Sequence, residues 1–126
     1  VSALGSAQAG STIYILGGTY YFGDTIKLDQ NGSQSNTITL SKYPDDDERP
    51  LLDFSAMSEN GSNRGLKLQG DYWYIYGIDV RKAGDNCLYI TGSHNVVEFS
   101  TFSECADTGV QLAKGAQLRG VRANLH

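Results

Sequence analysis

The fold class predicted by this sequence is all-β: a right-handed parallel β-helix in which short coils stack along one axis. Three observations predict it. The aliphatic pairs Leu66/Leu68, Leu88/Ile90 and Val110/Leu112 recur at steps of 22 residues, a unit too small to fold alone, so neighbouring units must stack. The β-rich segments "YIYGIDV" (74–80) and "VVEFSTF" (96–102) keep the same 22-residue step, and a copy one residue shorter, "LRGVRA", follows at 118–123. No part of the repeat shows a sustained apolar 3.6-residue pattern with caps. A strand that meets its own copy without a helical crossover must pair in parallel, with coils about 4.8 Å apart.

Taken in order, "STIYILGGTYYFGDTIKL" supplies the aliphatic pairs Ile13/Ile15 and Ile26/Leu28, and "NTITLSKYPDDDERPLLDF" supplies Ile38/Leu40 and Leu52/Phe54. From there each unit reads as two strands: "GLKL" then "IYGIDV", "CLYI" then "VEFSTF", "GVQL" then "LRGVRA". The alternation turns Leu66, Leu68, Leu88, Ile90, Val110 and Leu112 inward as one ladder, and Ile75, Ile78, Val80, Val97, Phe102, Leu118 and Val121 as a second. Lys67, Tyr89, Gln111, Tyr76, Glu98 and Arg119 then point outward. The count comes to about five coils in a single domain over residues 1–126, with "SAMSENGSN" (55–63) as a protruding insertion. The expectation is a piece of a longer helix. Leu118 and Val121 then sit inward with no coil above them, and an open end of this kind invites self-association.

The composition suits an ordered, turn-rich β protein, with 40% hydrophobic residues, 15 Gly and only 2 Pro. A formal charge of −4 and the absence of any Lys/Arg run exclude a nucleic-acid partner, since phosphate neutralisation needs clustered cations. No apolar stretch approaches the roughly 20 residues of a membrane helix, so no membrane partner is expected. The opening "VSALGSAQAG" has neither the basic nor the apolar region of a signal peptide. Cys87 lies level with Gly65 and Gly109 in the repeat, and Cys105 with Ala83. That offset does not favour a bond, and the reading is two free, small, partly buried residues.

Several candidate motifs reduce to turns. Gly17-Gly18 follows a strand but precedes no helix, so it is not a phosphate cradle. Asp45, Asp46, Asp47 and Glu48, between Pro44 and Pro50, lack the ligand spacing of a calcium loop and read as a solvated turn. His94 sits in a turn and His126 at the terminus, neither at triad-like spacing. Asp85 and Asp107 are the most suggestive acids, because the repeat stacks them in neighbouring coils. They suit a shared cation, or the capping of turns through local backbone N–H groups. Arg81, Lys82 and Lys114 are the cations nearest in pattern, so these five residues form the candidate substrate-binding set. No catalytic or metal-ligating residue is assigned.

The stretches "AGSTIYILGGTY", "GDYWYIYGIDVRKAGDNCLYI" and "NVVEFSTFSECADTGVQLAKGA" resemble the N-terminal coils of the pectate lyases of polysaccharide lyase family nine, over roughly Ala9 to Asn124. Ser11 stands where that family usually has Asp, and Cys87 where it usually has Gly. The resemblance implies a secreted bacterial-type enzyme acting on polygalacturonate or pectin by calcium-assisted β-elimination. In that reaction calcium bridges the uronate carboxylate and acidifies the C5 proton, a lysine removes the proton, and the C4–O bond breaks. It also places the calcium aspartates and the lysine in coils that follow "DTGVQL", beyond His126, so this chain alone is expected not to cleave the polymer. Two other readings stay open: a non-catalytic carbohydrate-binding or structural module presenting Tyr76 and Tyr89, and a lyase or hydrolase for another uronate polymer.

Overall fold

A computed structural model describes residues 2–123, and His126 lies outside them. A one-turn helix, α1 (Ser2–Gly5), precedes the coils and buries Leu4 at the first end of the core. The 14 strands that follow all pair in parallel and form three sheets. The first coil holds β1 (Thr12–Ile15), β2 (Gly18–Tyr21) and β3 (Ile26–Leu28), and the second β4 (Ile38–Lys42), β5 (Pro50–Asp53) and β6 (Leu66–Leu68). The third holds β7 (Trp73–Tyr76), β8 (Asp79–Arg81) and β9 (Leu88–Ile90), and the fourth β10 (Val96–Glu98), β11 (Thr101–Ser103) and β12 (Val110–Leu112). A fifth begins with β13 (Gln117–Arg119) and β14 (Arg122–Ala123). The chain is a right-handed parallel β-helix, as the repeat predicts.

The ladders follow the predicted register. Ile26, Leu66, Leu88 and Val110 stack in one row, and Leu28, Leu68, Ile90 and Leu112 in the next. On the other sheets Leu40, Ile75, Val97 and Leu118 align, as do Leu52, Val80 and Phe102. In the middle coils these side chains are fully enclosed, each worth about 1.5–3 kcal/mol relative to exposure. Along the coil of β13 and β14 the cover thins, leaving Leu112 40% and Leu118 39% exposed.

Each coil carries three strands, not two, because the expected "IYGIDV" strand breaks at a corner. Gly77, Phe99 and Gly120 adopt left-handed backbone with φ of 71°, 53° and 59°, and one such residue turns an extended chain sharply enough to start a new sheet. The other two corners use the same device: Lys82 and Glu104 between the second and third strands, Tyr72 and His94 between one coil and the next. A Cβ in this conformation costs roughly 1–2 kcal/mol, so these five non-glycine residues are held there by the stacking around them. The insertion at 55–63 is a mostly exposed loop between β5 and β6, pinned where Asn60 N–H bonds the Gly84 carbonyl.

Contrary to the sequence expectation, Cys87 and Cys105 form a disulfide, with Cα atoms 5.6 Å apart. Rung-for-rung offset is the wrong test at a corner. Cys105 enters the corner of the fourth coil and Cys87 leaves that of the third, and the tight turn swings both side chains into the same interior space. In the coil below, Phe54 fills this space opposite Gly65, where a Cβ would meet the Phe54 ring at 3.2 Å.

Candidate functional site

The turns between the second and third strands bring four of the five candidate residues to one corner. Arg81 ends β8, and its Nε lies 2.7 Å from Oδ2 of Asp53, one coil below. Lys82 follows in left-handed backbone and points its ammonium at Glu104 of the next coil, 4.0 Å away. The backbone N–H of Asp107 donates to the Asp85 carbonyl, so these two acids do stack coil upon coil. Their carboxylates, however, serve different partners. Asp85 is buried and ion-paired with Arg64 at 3.0 Å, while exposed Asp107 accepts the Thr108 backbone N–H at 2.8 Å. Asp107 therefore fits the turn-capping alternative, and Asp85 neutralises a cation. Lys114 is not at this corner; it follows β12 at the strand's far end and borders a cleft beside His94.

Sequence reasoning missed Arg64, whose guanidinium lies 4.2 Å above the Tyr89 ring while pairing with Asp85. With Lys27, Lys67 and Gln111 in register beside Tyr89, it gives the outward face of β3, β6, β9 and β12 a column of cationic and aromatic groups. The 22-residue step sets Arg64 level with Asn86 and Thr108, a signal available in the sequence. The expected outward groups of the first sheet are largely occupied with one another. Tyr74 donates to Glu98, Arg119 lies 3.5 Å from Glu98, and Tyr76 packs on Phe99 beneath Arg49. Burial, then the bond to Glu98, pushes the Tyr74 hydroxyl up to about 12.

The calcium implied by the resemblance finds no fitting site here. Among the described residues no group of three or more His, Cys, Asp or Glu side chains converges. Several acids are bound elsewhere: Asp53 to Arg81, Asp79 to Arg49, Asp85 to Arg64, and Asp46 to the Gly17 N–H. No chemical step can be derived through that ion from these residues.

Asp53 links this corner to stability. Burial would push its carboxyl up, but hydrogen bonds from Ser55 and the Arg81 guanidinium outweigh that and hold it below the ordinary 3.8. A depressed carboxyl pKa stabilises the fold above the unfolded value, and that contribution is lost as pH falls below it through the folded value. Thermal melts between about pH 6 and pH 2 should show this acid loss. In Arg81→Met the carboxyl loses its cation and its folded value moves back towards the ordinary one, so the acid loss from this group should be smaller than in the parent; coincident profiles for the two proteins would refute the coupling.

Comparison with known proteins agrees with this architecture. The family model described as "Pel9A-like, right handed beta helix region" matches residues 1–125. The chain belongs to the Pel9A-like right-handed β-helix family. Pectate lyase L of Paenibacillus polymyxa is 40% identical over 113 residues, covering 90% of this chain and 25% of that protein. Pectate lyase L of Dickeya chrysanthemi is 30% identical, covering 95% of this chain and 30% of its own length. The crystal structure of pectate lyase Pel9A superposes with a TM-score of 0.83 at 28% identity, over 95% of this chain and 32% of that one. The chain thus spans 25% to 32% of the length of these relatives.

Proposed function

We propose that this chain contributes substrate-holding coils to a secreted lyase that cleaves polygalacturonate by calcium-assisted β-elimination, with the calcium ligands and the base supplied by coils other than those described. The observation that carries this reading is the superposition of 95% of the chain on pectate lyase Pel9A with a TM-score of 0.83. The column of Lys27, Lys67, Arg64 and Tyr89 supports it, since an acidic sugar chain needs cations and ring faces on a protein that is acidic overall. Lys82 and Lys114 add exposed charge at two corners, while Arg81, Asp85 and Asp107, tied to Asp53, Arg64 and Thr108, hold the first corner in shape. The Cys87–Cys105 bond fits an oxidising, extracytoplasmic compartment.

Two measurements on the purified chain test it. With polygalacturonate and calcium, the ultraviolet absorbance of unsaturated product should not rise. In gels containing polygalacturonate the chain should be retarded, and Lys67→Ala or Lys82→Ala should weaken retention by a factor on the order of three. Turnover that vanishes in Asp107→Ala or Lys114→Ala would place the chemistry within this chain and overturn the assignment. Unretarded migration would remove the substrate-holding role.

A further inference from the structure

We infer that the cleft beside His94 is a subsite for a single uronate ring, stacked on the free face of the His94 imidazole with its carboxylate held by Lys114. The inference deepens the polygalacturonate reading above and rests on it.

The corner between one coil and the next builds an aromatic column. The Tyr72 and His94 rings lie parallel, with centroids 4.5 Å apart and planes 6° from each other. Both residues take left-handed backbone, φ 60° and 59°, which sends their side chains out of the coil instead of into the core. The corner is held rigidly: Tyr72 N–H donates to the Ser93 carbonyl, Ser93 N–H to Asp71 Oδ1, and Asp71 N–H to Asn31 Oδ1. A platform fixed in this way loses little freedom when a ring settles on it.

One coil further on, the column stops. Val96 pairs with Gln117, so counting back two residues sets Gly115 level with His94. A Cβ at Gly115 would meet nothing within 4 Å and its φ lies outside the left-handed region, so no third ring continues the column and the space at this position is open. A cleft of about 560 Å³ occupies it, lined by Ser93, His94, Val96, Lys114, Gly115 and Gln117. Its volume falls within the range of small-ligand sites, and the cleft is open to solvent on one side.

The lining selects the guest. An aromatic face receives the C–H face of a pyranose, and a neighbouring ammonium with no ion-pair partner among the described residues selects a carboxylate. Lys114 is exposed and adjoins Gly115, so its charge stands at the rim of the open stack. The same chemistry gives a neutral sugar the platform but not the cation.

Titrating trigalacturonate into the isotopically labelled chain and following backbone amide shifts tests the subsite. Shifts should centre on His94 and Gly115. Lys114→Ala should weaken binding about tenfold, the scale of one charge-assisted hydrogen bond, and Gly115→Tyr, which places a ring in the open space of the cleft, should abolish these shifts. Lys114→Glu, at an exposed position, gives a second variant should Gly115→Tyr fail to fold. Shifts confined to Lys67 and Tyr89 and unchanged in all three variants would overturn the subsite and leave the wider reading standing. Absence of shifts anywhere would overturn both. Equal affinity for neutral galactotriose would overturn the assignment of a uronate.

Discussion

Replacing Trp73 with alanine is expected to destabilise the chain by about 3–5 kcal/mol, a fall of roughly 10–25 °C in melting temperature. Trp73 is fully enclosed and is the largest buried side chain. It opens the third coil, and its Nε1–H donates to the Gln30 carbonyl in the turn that leaves the first coil. Its backbone N–H is received by Asn95 Oδ1 of the fourth coil, and the Asn95 amide in turn donates to the Gly70 carbonyl. One position therefore joins three coils through packing and a satisfied polar network. Gly70 makes room for it: a Cβ there would sit 2.8 Å from Trp73 Nε1 and 1.9 Å from the Gln30 carbonyl oxygen. Truncation opens a cavity and removes the donor to that partly buried carbonyl, two separate penalties. Trp73→Phe should recover most of the loss, because a ring still fills the space. Far-UV circular dichroism is the appropriate probe, since Trp73 is the single tryptophan. A Trp73→Ala variant within about 1 kcal/mol of the parent would show that the coils do not depend on this joint.

The strands were legible in the sequence because parallel stacking forces like onto like. Leu66 over Leu88 over Val110 is a pattern that only a 22-residue coil explains, and the register obeys it. The corners were harder. A left-handed residue between Tyr76 and Ile78 reverses the chain while leaving the run of β-forming residues intact, so one strand is read where two exist. The candidate site was legible as a set of residue types but not as a geometry. Asp85 and Asp107 do stack, yet nothing in their spacing shows that Arg64 draws one carboxylate away. The same step also links Tyr72 to His94 and Lys82 to Glu104, so the period extends through the turns. Applied to turn residues as well as strand residues, it would have exposed the aromatic column. It would not have exposed the disulfide, whose partners lie 18 residues apart, off the period, and meet because a corner folds inward.

Cutting that disulfide should cost about 3 kcal/mol, the chain-entropy value for a loop of this size, or on the order of 10 °C in melting temperature. The expectation rests on position as well as loop length. The bond ties the third coil to the fourth at the corner that carries Lys82, Asp85 and Asp107. Both sulfurs are enclosed in the core there, whereas the neighbouring turn residues Glu104 and Asp107 are exposed. Backbone bonds from Ala106 to Ala83 and from Asp107 to Asp85 cross the same gap, the second a long one at 3.4 Å. Without the covalent link this turn should open before the sheets do. The double variant Cys87→Ala/Cys105→Ala should therefore melt earlier than the parent and also hold polygalacturonate more weakly, through a loosened Lys82 corner. Protein made in a reducing cytoplasm should match the variant until it is oxidised, then regain the parent melting temperature. Alkylation followed by mass measurement provides the direct check. The folded, unreduced chain should take up no alkyl group and the reduced, unfolded chain two. Modification of both cysteines without reductant, or melting curves that coincide with and without reductant, would mean that packing alone closes this corner.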